Sequence, residues 1–227
     1  PGRFLFNAGK TPKEWNSKVL NDKHFKVIWY ESDSTKVFPN VDIKGGVAVT
    51  FRDKQQEFKK VGVFTPYPEL SSVASKVKSD DNFASLSNLI YSQNKFKLNV
   101  LYNDFPDYKK IIGSHGTEKR LTTAIFEQLE VFKDGEEGEK GVRILGLINN
   151  TRLFRFIPSK YLENHEGLNK FKVLLPKSNG TGKLGEVLST PIVGKPNTGY
   201  TQSFIGIGAF DSSADANACL KYLHTKF

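Results

Sequence analysis

The chain has 227 residues, 38% of them apolar, enough for one large or two small hydrophobic cores, so a globular protein is expected. Its 33 Lys and Arg against 24 Asp and Glu leave a formal charge of +9. This balance favours a polyanionic partner, because cations that neutralise phosphates release condensed counterions. The single Cys219 excludes an internal disulfide, and His24, His115, His165 and His224 lack metal-ligand spacing such as C-x-x-C or H-x-x-x-H. No run reaches the ~18 apolar residues of a membrane span and no basic-then-apolar signal opens the chain, so a cytoplasmic protein without membrane or metal partners is expected. Methionine is absent, Pro1-Gly2 leads straight into an apolar segment, and a helical pattern runs to Phe227 without a Gly or Pro stop. The chain therefore reads as a piece of a longer protein.

Phe4 to Phe6 reads as a short buried strand, with Asn7-Ala8-Gly9 as the turn after it. Thr11 as N-cap, Pro12 at the first helical position and Glu14 closing a capping box predict a helix over about Pro12 to Leu20. Phe25 to Tyr30 is a strand by its aromatic and β-branched content. After a turn at Phe38 to Asn40, Val47, Val49 and Phe51 alternate with Ala48, Thr50 and Arg52, predicting a strand inside a sheet. Strand, helix, strand, loop, strand fits the closing half of a doubly wound α/β sheet. Thr65-Pro66-Tyr67-Pro68 breaks the pattern after Val61 to Phe64, and the domain boundary is placed there. Ser71 to Asn82, polar and poor in core residues, reads as a linker or exposed loop.

Beyond the boundary, Leu121, Ile125, Leu129 and Phe132 recur at helical spacing, ended by the acidic loop Asp134 to Glu139. Val142 to Ile148 and Leu153 to Ile157 read as a hairpin turning at Asn149-Asn150. Phe171 to Leu175 and Phe204 to Ile207 add strands, and Ala216, Cys219, Leu220 and Leu223 form one face of a helix capped by Asp211 or Ser212.

Three early segments, Arg3 to Gly9, Thr11 to Asn16 and Val37 to Arg52, resemble the part that follows the catalytic motif in adenine-specific DNA methyltransferases of type II restriction–modification systems. Downstream, Ser92 to Lys97, Ile111 to Ser114, Lys119 to Thr123, Leu145 to Asn150, Arg155 to Pro158 and Thr201 to Ile205 resemble the target-recognition domain of the same enzymes. The resemblance implies that residues 1–64 close a Rossmann-like methyltransferase sheet and that residues 65–227 form a mixed α+β target-recognition domain. It implies duplex DNA as partner, S-adenosylmethionine as the cofactor of the parent protein, and a restriction endonuclease either fused or separate. The family's glycine-bearing cofactor motif and its Asn/Asp-Pro-Pro-Tyr/Phe motif do not occur, and the chain has no Pro-Pro dipeptide. This fragment is therefore expected neither to bind the cofactor nor to methylate DNA alone. The competing class is a non-enzymatic DNA-specificity subunit. A general RNA or single-strand binder is less favoured, since no aromatic sheet motif of those modules is found.

Phe38 matches the aromatic that, in the family, packs on the flipped adenine; its other role is to anchor its turn in a core. Lys44-Gly45-Gly46 either lets backbone approach a ligand or marks a β-bulge. Lys177, Asn179 and Lys183 in one loop, and Lys195, Asn197 and Gln202 in another, combine phosphate-binding cations with side chains that read base edges; solvated hairpin tips are the alternative. Lys119 with Arg120, and Arg152 with Arg155, are phosphate contacts or ordinary surface charge. Asp42 followed by Glu57-Phe58-Lys59 has the approximate spacing of a magnesium-dependent nuclease, on a loop rather than an apolar strand. Cys219, on the apolar face of its helix, is a structural thiol.

Overall fold

Aromatic residues organise the N-terminal portion of the computed structural model, which describes residues 2–7, 11–78, 80–81, 83–113, 116–135, 141–177 and 190–225. The fold is mixed α/β, with several sheets and few helices. It divides into two units, Pro1–Phe83 and Ala84–Phe227, a later break than the one expected at Thr65. Among the described residues no helix is long and apolar enough to cross a membrane.

In the first unit the expected strand Phe4 to Phe6 is a 3-10 helix, Gly2–Phe6. Gly2 N–H donates to Gly46 O and Asn7 N–H closes back on Phe4 O, so the run is held by a turn rather than by a strand ladder. Leu5 is buried, Phe4 packs edge-on against Trp15 and Phe25, and Phe6 packs against Tyr30 and Phe64. Helix α1 is Lys13–Leu20, with Pro12 rather than Thr11 at the cap position and no side-chain cap bond.

Strands β1 (Phe25–Glu31) and β2 (Val47–Arg52) pair antiparallel, with a register shift between Val27 and Trp29. Among the described residues these two strands form a sheet of their own. Trp29 and Val49 sit opposite each other and are half exposed, as are Ile28 and Phe51. The strand after Gly45-Gly46 therefore does not lie inside a sheet. Helix α2 (Pro68–Lys78) occupies the segment read as a linker. Glu69 lies in its first turn, where carboxylates favour helix starts, and Leu70, Val73 and Val77 recur on one face, each about half exposed.

In the second unit β3 (Ile90–Tyr91), β6 (Phe171–Pro176), β7 (Ile192–Gly194) and β9 (Phe204–Phe210) form an antiparallel sheet in the order β3-β9-β6-β7. Strands β4 (Val142–Ile148), β5 (Thr151–Ile157) and β8 (Thr198–Tyr200) form a second sheet, with β4 antiparallel to β5 and parallel to β8. Val142, Ile144 and Ile157 face a core that also holds Phe96, Leu101, Leu121 and Phe132. The alternate β4 residue Leu145 joins Leu174, Tyr200 and Phe204. After the short helices α3 (Leu98–Asp104), α4 (Tyr108–Ile112) and α5 (Ile125–Gln128), helix α6 (Ser213–Leu223) is capped as expected: Ser212 Oγ accepts from Asp215 N–H. Cys219 packs beside Val173, Leu175 and Ile207, and burial pushes its thiol pKa up, as suits a packing residue.

The helix expected over Leu121 to Phe132 is reduced to Ile125–Gln128, though Leu121, Ile125, Leu129 and Phe132 are all buried. Long-range partners take the backbone groups a helix would use: Leu121 N–H donates to Asn94 O, and Leu121 O accepts from Gln202 N–H. The hairpin turn has Asn149 at φ 47° and Asn150 at φ 61°, the paired left-handed geometry of a two-residue type I′ loop. Asn150→Val places a β-branched residue in that region and is expected to lower stability by about 1–2 kcal/mol, whereas Asn150→Gly does not. Urea midpoints at unchanged m-value measure the difference.

Candidate nucleic-acid interface

Arg120 and Gln202 are brought together by a buried polar framework. Asn94, 2% exposed, uses its side-chain Oδ1 to accept from Tyr200 N–H at 2.9 Å. Its backbone N–H donates to Tyr200 O, and its carbonyl accepts from Leu121 N–H. Gln202 N–H then bonds to Leu121 O at 2.7 Å, and Thr201 N–H to Leu145 O at 2.9 Å. Gly199 leaves room for this clamp, since a Cβ there would lie 2.7 Å from Asn94 Oδ1 and from Ile144 Cδ1. The segments at 119–122 and 200–202 are thus stitched by backbone bonds, and their outward side chains line one cavity of about 360 Å³. Thr122, Thr123, Gln128 and Glu118 share that cavity, with Ile111 and Ile112 as apolar wall.

This chemistry suits a base edge better than a phosphate. Arg and Gln present paired donors and acceptors that match purine edges, and a carboxylate such as Glu118 accepts from the cytosine amino group but repels phosphate. Glu118 Oε1 accepts from Gly116 N–H at 2.7 Å, which fixes its direction.

The other expected contacts divide among several environments. Lys119 pairs with Glu163 at 2.6 Å. Arg152 and Arg155 lie on opposite faces of β5 and do not act as a pair, because strand side chains alternate. Arg152 donates to Thr190 O at 2.7 Å and Oγ1 at 2.8 Å, over the Phe204 ring. Arg155 pairs with Asp134 at 3.2 Å in a hollow that also holds Glu127 and Glu130, unfavourable ground for a phosphate. Asn197, at φ 60°, donates its amide to Gly141 O at 2.7 Å and serves as a turn residue rather than a base reader. Lys177 and Lys195 are exposed. Asn179 and Lys183 lie outside the described residues.

In the first unit, Ser34 pins the turn before Phe38. Its Oγ donates to Val41 O at 2.7 Å and accepts from Ile43 N–H at 2.8 Å. Phe38, 48% exposed, is therefore no core anchor. Gly45 and Gly46 open to no ligand: a Cβ on Gly45 would meet Arg3 Cγ at 2.4 Å, and one on Gly46 would meet Glu31 O at 2.3 Å. Gly45 thus admits the close approach of the N-terminal 3-10 turn, and Gly46 that of the end of β1. Asp42 pairs with Lys44, and Glu57 with Lys23. No group of three or more His, Cys, Asp or Glu among the described residues could hold a metal ion.

Asn94 and Lys172 are functional supports that sequence reasoning missed, since neither a buried amide nor a buried amine leaves a periodic signal. Lys172 is 2% exposed, and its Nζ donates to Leu168 O at 3.1 Å and Thr198 O at 2.8 Å. Burial lowers its pKa to about 7. Comparison with family models, with curated proteins and with solved structures finds no match to this chain.

A lysine whose folded pKa lies below its unfolded value releases its proton on folding, so the unfolded state binds more protons above about pH 7. Stability is expected to rise from about pH 7 towards pH 10. Above that range Lys160 and Lys170, held up by Asp104 and Asp211, act in the opposite direction. Denaturant titrations across this window check the slope, and Lys172→Met should flatten it. Gly199→Ala displaces Asn94 and is expected to lower stability by about 1–3 kcal/mol, measured the same way.

Proposed function

We propose that this chain is the sequence-recognising part of an adenine-specific, S-adenosylmethionine-dependent DNA methyltransferase of a restriction–modification system. In this reading the first unit closes the Rossmann-like catalytic domain and the second is its target-recognition domain. The parent transfers a methyl group to the exocyclic nitrogen of adenine in duplex DNA, alongside a fused or separate endonuclease, in the cytoplasm. The observation that carries the reading is the Arg120–Gln202 cavity. Arg120 and Gln202, from remote parts of the chain, line one cavity whose walls are tied by backbone bonds, with further hydroxyl and amide groups around them. The charge of +9 supplies the non-specific attraction to phosphate. Two further observations support the role of the first unit: Phe38 presents its ring outward from a pinned turn, and the β1–β2 ribbon leaves Ile28, Trp29, Val49 and Phe51 exposed, a surface suited to pack against more of a catalytic domain. The lack of a Pro-Pro dipeptide favours, as second reading, a specificity subunit that acts with a separate catalytic chain.

Selection of duplexes from a random-site pool tests the assignment. The full chain is expected to enrich a motif, and Gln202→Ala or Arg120→Ala to relax one or two positions of it at a cost of about 1–3 kcal/mol. Uniform binding of all sequences by the unsubstituted chain would overturn it.

A further inference from the structure

We propose that a crevice in the first unit, between β1, residues 59–65 and α2, binds a phosphodiester of the DNA backbone through Lys26, Lys59 and Lys60. The crevice has a volume of about 370 Å³ and is lined by Lys26, Lys59 and Lys60 together with Thr65 and Ser71. Its described lining residues include no carboxylate. Four of the unit's acids pair with other cations: Glu57 with Lys23, Glu31 with Lys36, Asp42 with Lys44 and Asp22 with Arg52. Lys26 is instead held over the rings of Phe58, at 4.3 Å, and Phe51, at 5.4 Å. A ring face fixes an ammonium without neutralising it, so its charge remains available to an anion. Three like charges around one concavity repel each other, and an incoming phosphate relieves that repulsion. Lysine serves as a point charge for phosphate rather than as a reader of base edges, so this site adds affinity and position without sequence preference.

The proposal rests on the reading that the chain binds duplex DNA, and one experiment separates the two. Salt-dependent binding of the full chain to its enriched duplex is compared with that of Lys59→Ala/Lys60→Ala and of the length-conserving Lys59→Gln/Lys60→Gln. Each phosphate contact contributes about 0.9 to the slope of log K against log salt. Both double variants are expected to lower that slope by about 1 while enriching the same motif. An unchanged slope with the motif retained overturns the crevice and leaves the recognition reading intact. A lowered slope without any enriched motif in the unsubstituted chain supports the crevice and sinks the recognition reading. Free pyrophosphate is the second probe. If it raises the melting temperature of the unsubstituted chain but not of the variants, while the DNA slopes coincide, the crevice holds a small phosphate ligand and the DNA assignment is wrong.

Discussion

The second unit depends on Asn94. Irregular chain can be buried only if its peptide groups find partners, and three segments near positions 94, 121 and 201 meet outside any regular ladder. Asn94 resolves this by acting twice as backbone, once through its own peptide and once through a side-chain carbonyl that accepts from Tyr200 N–H. A shorter or apolar side chain would leave that amide unsatisfied in a dry interior, a cost of about 1–3 kcal/mol. Gly199 is the complementary condition, since any Cβ there would intrude on the amide oxygen. Because the backbone bonds run directly from Leu121 to Gln202, the side chains of Arg120 and Gln202 emerge from a fixed frame. Such a frame limits the conformational freedom lost when a ligand is engaged.

Lys172 extends that frame at a different cost. Its amine bridges the 3-10 turn at Glu166–Asn169 to β8 through two carbonyls, with no carboxylate of the described residues bonded to it. A charged amine without a counter-ion is poorly accommodated in such a place, and the proton is therefore given up near neutrality. The same strand leads into Tyr200 and Gln202, so protonation of one buried group is coupled to the stability of the segment that carries a candidate reader.

The elements legible in sequence were those set by local chemistry. Asn149-Asn150 tolerates the left-handed region and so fixes a hairpin, and Ser212 before an apolar-faced run fixes α6. What failed was set by partners distant in the chain. The apolar spacing of Leu121 to Phe132 predicted burial correctly but helix incorrectly, because Asn94 and Gln202 claim the peptide groups of Leu121. Phe4 to Phe6 read as a strand, although Phe4 O accepts from Asn7 N–H in its own turn and the preceding Gly2 N–H donates to Gly46 O. Ser71 to Asn82 read as a linker because its apolar positions are sparse, yet their spacing up to Lys78 is helical and α2 forms there. At the candidate site, Arg120 and Gln202 were identified as DNA contacts by residue type. Their shared cavity, and the supports Asn94 and Lys172, are properties of contacts separated by tens of residues or more.

Net charge says less about a binding surface than the pairing of each cation does. Lys119, Lys160 and Lys170 face Glu163, Asp104 and Asp211, and Arg152 is fixed on Thr190. A phosphate that approached any of these would first have to displace an existing partner, and the exchange of one exposed pair for another gains little. Arg120, by contrast, borders a cavity furnished with amides and hydroxyls, while Lys59 and Lys60 border one whose described lining holds no acid. The first environment rewards directional hydrogen bonding and the second rewards any negative charge. Under the proposed function, the two sites divide recognition as base readout and backbone positioning require, one discriminating among sequences and the other holding the duplex.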